Sequence, residues 1–199
     1  SRNNQKRFFS MDHPYIRPNS NVKVDMSKYN DVNKIGIISV IKDGRGLNNL
    51  NLLLSKRLPE NIKLFSISKI IGNVNDPYKK LIQLNKDGDF FPSDIYTAYI
   101  KEMDCILMLY DTNGYRLTAS GSILEAVWNL KPIIGLRNDY FDYLFSKFGA
   151  LGVLCDSMDE LHMQMKNLRS NFYIDNLRYC KEALSISHIE ESFVLTIQK

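Results

Sequence analysis

Two stretches of strand length are nearly continuous runs of apolar residues. Residues 34–41 read KIGIISVI and residues 105–110 read CILMLY. A strand with one wet face alternates apolar and polar side chains, so runs without alternation belong to strands covered on both faces. Helical stripes recur around them. Leu47, Leu50, Leu53, Leu54 and Leu58 form the first, closed by Pro59. Ile95, Tyr96, Tyr99, Ile100 and Met103 form the second, behind Pro92-Ser93-Asp94, where Ser93 reads as the N-cap. Tyr140, Phe141, Leu144, Phe145 and Phe148 form a third, stopped by Gly149. Short apolar strands are expected at 62–67, 81–84, 133–134 and 151–154. Alternation of this kind predicts an α/β domain with a doubly wound parallel sheet and helices on both faces. Ligands of such sheets bind outside the carboxyl ends of the strands. That rule directs attention to residues 42–46, 110–122 and 135–139.

The middle patch has the clearest chemistry. Residues 110–135 read YDTNGYRLTASGSILEAVWNLKPIIG. The loop holding Tyr115, Arg116, Thr118, Ser120 and Gly121 is small and polar. Ser122 then opens a run with Ile123, Ala126, Val127 and Leu130 on one helical face, stopped by Lys131-Pro132. A Gly/Ser loop that feeds a helix start is a ready anion site, because main-chain N–H groups and the helix dipole both point there. Glu125 lies one turn inside. It has two candidate roles: a hydroxyl-seeking carboxylate beside a phosphate, or the partner of Ser122 in a Ser-x-x-Glu capping box. The first patch, Lys42-Asp43-Gly44-Arg45-Gly46, is a turn with two glycines between strand and helix. It lacks the full G-x-G-x-x-G of a dinucleotide fingerprint. Its guanidinium can grip phosphate oxygens with two parallel hydrogen bonds, or can simply decorate a surface turn.

The order small polar loop, S-G-S-I-L-E-A, then K-P-I-I-G resembles the donor-binding, C-terminal half of GT-B glycosyltransferases of the group 1 type, over about residues 34–170. The resemblance implies a Rossmann-like domain that holds a nucleoside-diphosphate sugar. It implies that amides of Ser120, Gly121 and Ser122 hold the diphosphate and that Glu125 bonds the ribose. Arg45-Gly46 stands where the family has a Lys-Gly pair, which implies a catalytic role for Arg45 on the leaving diphosphate, with Lys42 assisting. Gly44, Gly46 and Thr118 are further cofactor-binding candidates; Tyr115 and Arg116 could face the diphosphate or sugar, Arg116 equally well being a surface residue. Arg137 and Asn138 are candidates to touch the base. Two departures stand out: the family's earlier glutamate of E-x7-E is Leu117, and its glycine after the helix is Leu130.

The same resemblance implies a division of the chain. Residues 1–33, with the Asp12-His13-Pro14-Tyr15 turn, would be linker from an acceptor half outside this chain; residues 34–170 would be the donor domain; residues 171–199 would be helices packing back toward that half. The acceptor, a glycan or a lipid, would be held there. No metal or other cofactor is expected, because basic side chains and helix-end amides neutralise the leaving group. Composition agrees with this and excludes other classes. A net charge of +4 without a dense basic run or an RNP motif gives no nucleic-acid signal. A weak attraction to an anionic membrane surface remains compatible with that charge. Cys105, Cys155 and Cys180 are odd in number and far apart, which fits a reducing, cytoplasmic setting. Neither His162 nor His188 lies at an expected strand end, so no nucleophile–base pair is legible. Two alternatives use the same elements: a nucleotide-sugar epimerase, and a non-catalytic module that supports a partner transferase. Ser157-x-x-Glu160 and Ser187-x-x-Glu190 read as capping boxes of later helices.

Overall fold

The structure, a computed structural model, describes residues 32–86, 90–110 and 120–197. Strands β1 (Lys34–Ile37), β2 (Lys63–Ser66), β3 (Leu81–Gln83), β4 (Cys105–Met108), β5 (Ile133–Leu136) and β6 (Gly152–Cys155) make one parallel sheet in the order β3-β2-β1-β4-β5-β6. Helices α1 (Leu47–Leu54), α2 (Ser93–Glu102), α3 (Gly121–Trp128), α4 (Asp139–Phe148), α5 (Met158–Gln164), α6 (Ile174–Ala183) and α7 (Ile186–Ile197) connect and follow them. None of these helices is long and apolar enough to cross a membrane.

The unbroken apolar strands divide their side chains between two cores, because successive residues of a strand face opposite ways. In β4, Ile106 and Met108 join Ile100, Ile123, Val127, Phe141, Leu144 and Leu177 on one face. Cys105 and Leu107 join Leu50, Leu53, Leu54, Leu161 and Met165 on the other. The helices therefore lie on both faces, α1 and α5 on one and α2, α3, α4 and α6 on the other. An eight-residue helix such as α1 is too short to persist alone. Burial of Leu50, Leu53 and Leu54 holds it, at roughly 1.5–3 kcal/mol per side chain. The cysteines are free and buried; burial pushes the Cys155 thiol up to about 12 and the Cys105 thiol upward as well.

Boundaries differ from the sequence expectation in instructive ways. The apolar run of residues 34–41 continues past β1, but the ladder stops at Ile37. The next carbonyl, of Ile38, accepts from the hydroxyls of Ser68 at 2.6 Å and Tyr96 at 3.0 Å instead of a strand amide. Ser93 is the first residue of α2 rather than its cap, which is Pro92, and Ile95 is exposed. The box at α5 is half formed: the Ser157 hydroxyl accepts from the Glu160 amide, while the Glu160 carboxylate accepts from the amide of Asp156. The last helix begins before Ser187, and the Ser185 hydroxyl accepts from the His188 amide.

The end of α3 carries the departure noted at Leu130. The Leu130 amide donates to the Val127 carbonyl and the Lys131 amide to the Ala126 carbonyl. Those two bonds make a Schellman motif, which places its closing residue in the left-handed region. Leu130 has φ 55 and a buried side chain. Leucine there carries about 1–2 kcal/mol of backbone strain that glycine avoids, offset by its burial in the core. The usual order of small substitutions is therefore expected to invert. In chemical denaturation both Leu130→Ala and Leu130→Gly lower stability, with Leu130→Gly the more stable of the two by about 1 kcal/mol.

Candidate functional site

The sheet changes winding direction between β1 and β4, where the connections leave for opposite faces. A cavity of about 540 Å³ opens there, at the carboxyl ends of the strands. Its floor is built by the residues just past each strand: Ile38, Ser39 and Val40 after β1, Ile67, Ser68 and Lys69 after β2, Asn85 after β3 and Tyr110 after β4. One wall is the start of α3 with Ser120, Gly121, Ser122 and Glu125; another carries Phe90, Phe91 and Tyr96 from the approach to α2 and its first turn. Arg45 closes the basic side.

The turn that presents Arg45 is set by backbone bonds. The Lys42 carbonyl accepts from the amides of Arg45 at 2.9 Å and Leu47 at 3.2 Å. Gly46 caps α1 with φ 86, and a Cβ there would stand 2.6 Å from the Leu109 carbonyl oxygen. Only glycine fits so close a crossing of β4 at that φ. The α3 wall is fixed from the other side. Tyr110 and Ser120, each 3 % exposed, share a 2.8 Å hydrogen bond between their hydroxyls. The bond ties the end of β4 to the cap of α3. It also takes the Ser120 side chain away from the capping role, so α3 has no side-chain cap and no acidic residue in its first turn. Helix α1 likewise has neither. Helices α4 and α5 have both: Asn138 and Ser157 cap them, and Asp139, Asp142, Asp159 and Glu160 lie in their first turns. The start of α3, which lines the cavity, thus has neither a side-chain cap nor an acidic first turn, an arrangement suited to an external anion, whereas α2, whose first residue Ser93 also lines the cavity, carries Asp94 in its first turn.

No family profile and no curated protein sequence matches the chain. Solved structures do. Anabaena HepE in complex with UDP is similar at a TM-score of 0.62 and 14% identity, over 84% of this chain and 49% of that one. TarM from S. aureus, in complex with fondaparinux, alpha-GlcNAc-glycerol and UDP, is similar at a TM-score of 0.63 and 12% identity, over 94% of this chain and 38% of that one. A trehalose-6-phosphate protein from E. coli, bound with UDP-2-fluoro glucose, follows at a TM-score of 0.55 and 16% identity, over 85% and 44%. The chain has a GT-B glycosyltransferase fold. It spans about half the length, or less, of the structures it matches.

Within this GT-B half, the structure gathers some of the expected residues and separates others. Arg45, Ser120, Gly121, Ser122 and Glu125 line one cavity. Lys42 and Gly44 do not line it; they are exposed and shape the turn behind Arg45. Gly46 is buried at the α1 cap. Tyr115, Arg116, Leu117 and Thr118 lie outside the described residues. The third patch stands apart from the cavity. Asn138 caps α4, accepting from the Phe141 amide, and Arg137 bonds Asp156 and Asp142, which raise its guanidinium above its ordinary value. The capping-box role of Glu125 is not realised: the cap is Ser120, so Ser122 is already inside the first turn and Glu125 is a turn beyond the orphan amides. Glu125 is half-buried and lines the cavity.

Sequence reasoning missed the rest of the floor: Ser39, Ile67, Ser68, Lys69, Asn85 and the aromatic rim of Phe90, Phe91 and Tyr96. Ser39, the one polar residue in ISVI, and Ser68-Lys69, directly past an expected strand, were the available signals. The Tyr110–Ser120 bond supplies a direct check of the wall. Tyr110→Phe strands the Ser120 hydroxyl in the interior and is expected to cost about 1–2 kcal/mol in thermal denaturation. Adding Ser120→Ala removes the stranded group, so the double variant is expected to lose less than the sum of the single losses.

Proposed function

We propose that the chain is the donor-binding half of a glycosyltransferase that moves a sugar from a nucleoside-diphosphate sugar to a glycan or lipid acceptor. One observation carries the reading: Arg45, the start of α3 and Glu125 line the same cavity at the topological switch point of a parallel sheet. The cavity volume, about 540 Å³, is in the range of sites for ligands of nucleotide size. The UDP and UDP-sugar complexes among the similar structures add support.

In this reading the diphosphate lies across the first turn of α3, accepting from the amides of Gly121 and Ser122. Arg45 reaches it from the β1–α1 turn. Glu125, one turn further along α3, accepts from ribose hydroxyls. When the bond between the sugar's anomeric carbon and the diphosphate breaks, the departing oxygen gains charge. Arg45 and the helix amides lie where that charge develops, and fixed dipoles of this kind stabilise it without reorganisation. Lys69, on the same cavity, adds a second positive charge after β2. These groups supply the neutralisation without a resident metal. The acceptor and any base that deprotonates it come from a second half outside residues 34–170, with residues 171–199 packing back toward it. In this reading the transfer serves polysaccharide biosynthesis on the cytoplasmic side.

Calorimetric titration of the folded protein with UDP, GDP and ADP tests the reading. Saturable binding of at least one is expected. Glu125→Ala and Arg45→Ala are each expected to weaken it roughly 10- to 100-fold, the range for hydrogen bonds involving a charged group. Absence of saturable binding to all three, with circular dichroism confirming the fold, contradicts it.

A further inference from the structure

The cavity floor contains one hydroxyl that the fold leaves unused. Ser39 stands two residues past β1 and is 5 % exposed; its Oγ is sealed from solvent and makes no hydrogen bond among the described residues. Its hydroxyl neighbours on the floor are engaged. Ser68 and Tyr96 both donate to the Ile38 carbonyl, and Tyr110 pairs with Ser120. Buried polar atoms almost always have partners, and an orphan is costly. Ser39 interrupts an otherwise apolar run, Ile37-Ile38-Ser39-Val40-Ile41, in which alanine would fill the same position without that cost.

Its place in the fold says what it can reach. β1 pairs directly with β4, so the residues just past these two strands share the centre of the crevice. Asn85, after β3, lines the cavity from the sheet edge, two strands away. Ser39 shares the β1–α1 connection with Arg45 and follows β1, the strand that pairs with β4, which leads to α3. No hydrogen bond among the described residues holds the Oγ, and a serine hydroxyl changes position by rotation about one single bond between staggered wells.

We propose that the Ser39 hydroxyl is a binding group of this site, donating a hydrogen bond to a diphosphate oxygen of the bound nucleotide between Arg45 and the start of α3; this rests on the donor-binding reading above. The orphan hydroxyl of the unliganded protein is then the counterpart of a bond made only when ligand is present.

Ser39→Ala separates this role from a structural one, because the two act on different measurements. The probe is whichever of UDP, GDP and ADP the wild-type protein binds most tightly. The unliganded variant is expected to melt at the same temperature as wild type or higher, since an unsatisfied group is removed. Its affinity for the probe is expected to fall by about 5- to 50-fold. At saturating probe, a bound phosphorus-31 resonance is expected to shift between wild type and variant. A lower melting temperature, unchanged affinity, or identical phosphorus spectra each overturn the assignment. If wild type binds while Ser39→Ala binds equally well, only the Ser39 role fails. If wild type binds none of the three nucleotides, the donor-binding reading fails and the Ser39 role with it.

Discussion

The parallel pairing of β1 with β4, through Ile35 to Cys105 and Gly36 to Ile106, is the constraint on which the rest of the molecule depends. The β1–α1 connection leaves for one face of the sheet and the β4–α3 connection for the other. The chain therefore cannot close over the carboxyl ends of these two strands, and a crevice is unavoidable. Two of its walls are tied to the end of β4. Arg45 is carried by a turn whose glycine grazes the carbonyl of Leu109 just past β4, and α3 is pinned to the next residue, Tyr110, through Ser120. The two walls are positioned against one strand, so their spacing does not rest on flexible loops.

The helix starts differ in how their first amides are met, and α2, which begins at the cavity with Ser93, carries Asp94 in its first turn. α4 and α5, which start away from the crevice, satisfy their first amides with Asn138 and Ser157 and add acidic residues in the first turn. α1 and α3 do neither. The α3 case has a visible cause, since the serine that could cap the helix is bonded to a tyrosine instead. Glu125 sits far enough along α3 to leave the first-turn amides alone while still lining the cavity. The second departure from the family pattern is resolved in the same concrete way. Leu130 adopts the backbone shape that a glycine would supply, and its side chain is anchored in the core beneath α3.

The doubly wound architecture was legible because strands buried on both faces cannot alternate, and CILMLY and KIGIISVI do not. The α3 part of the site was legible for a similar reason: a small polar loop followed at once by an apolar stripe has few other uses. Helix starts were less legible wherever two serines compete. Ser120 and Ser122 both suit a cap, as do Ser185 and Ser187, and tertiary bonds rather than local pattern decide between them. The opposite wall was not legible at all. Ser39, Ser68, Lys69 and Phe90 come from separate connections, and only the strand order brings them to one place. Lys42 and Arg137 misled because a basic residue at a strand end looks the same in sequence whether it faces a ligand, solvent or two aspartates.

A crystal of the protein soaked with UDP tests the central claim most directly. The expected result is diphosphate density within hydrogen-bond distance of the Gly121 and Ser122 amides, with the Arg45 guanidinium on the opposite side. Density for the diphosphate elsewhere on the sheet, or an α3 start in contact with no part of a bound nucleotide, would contradict it.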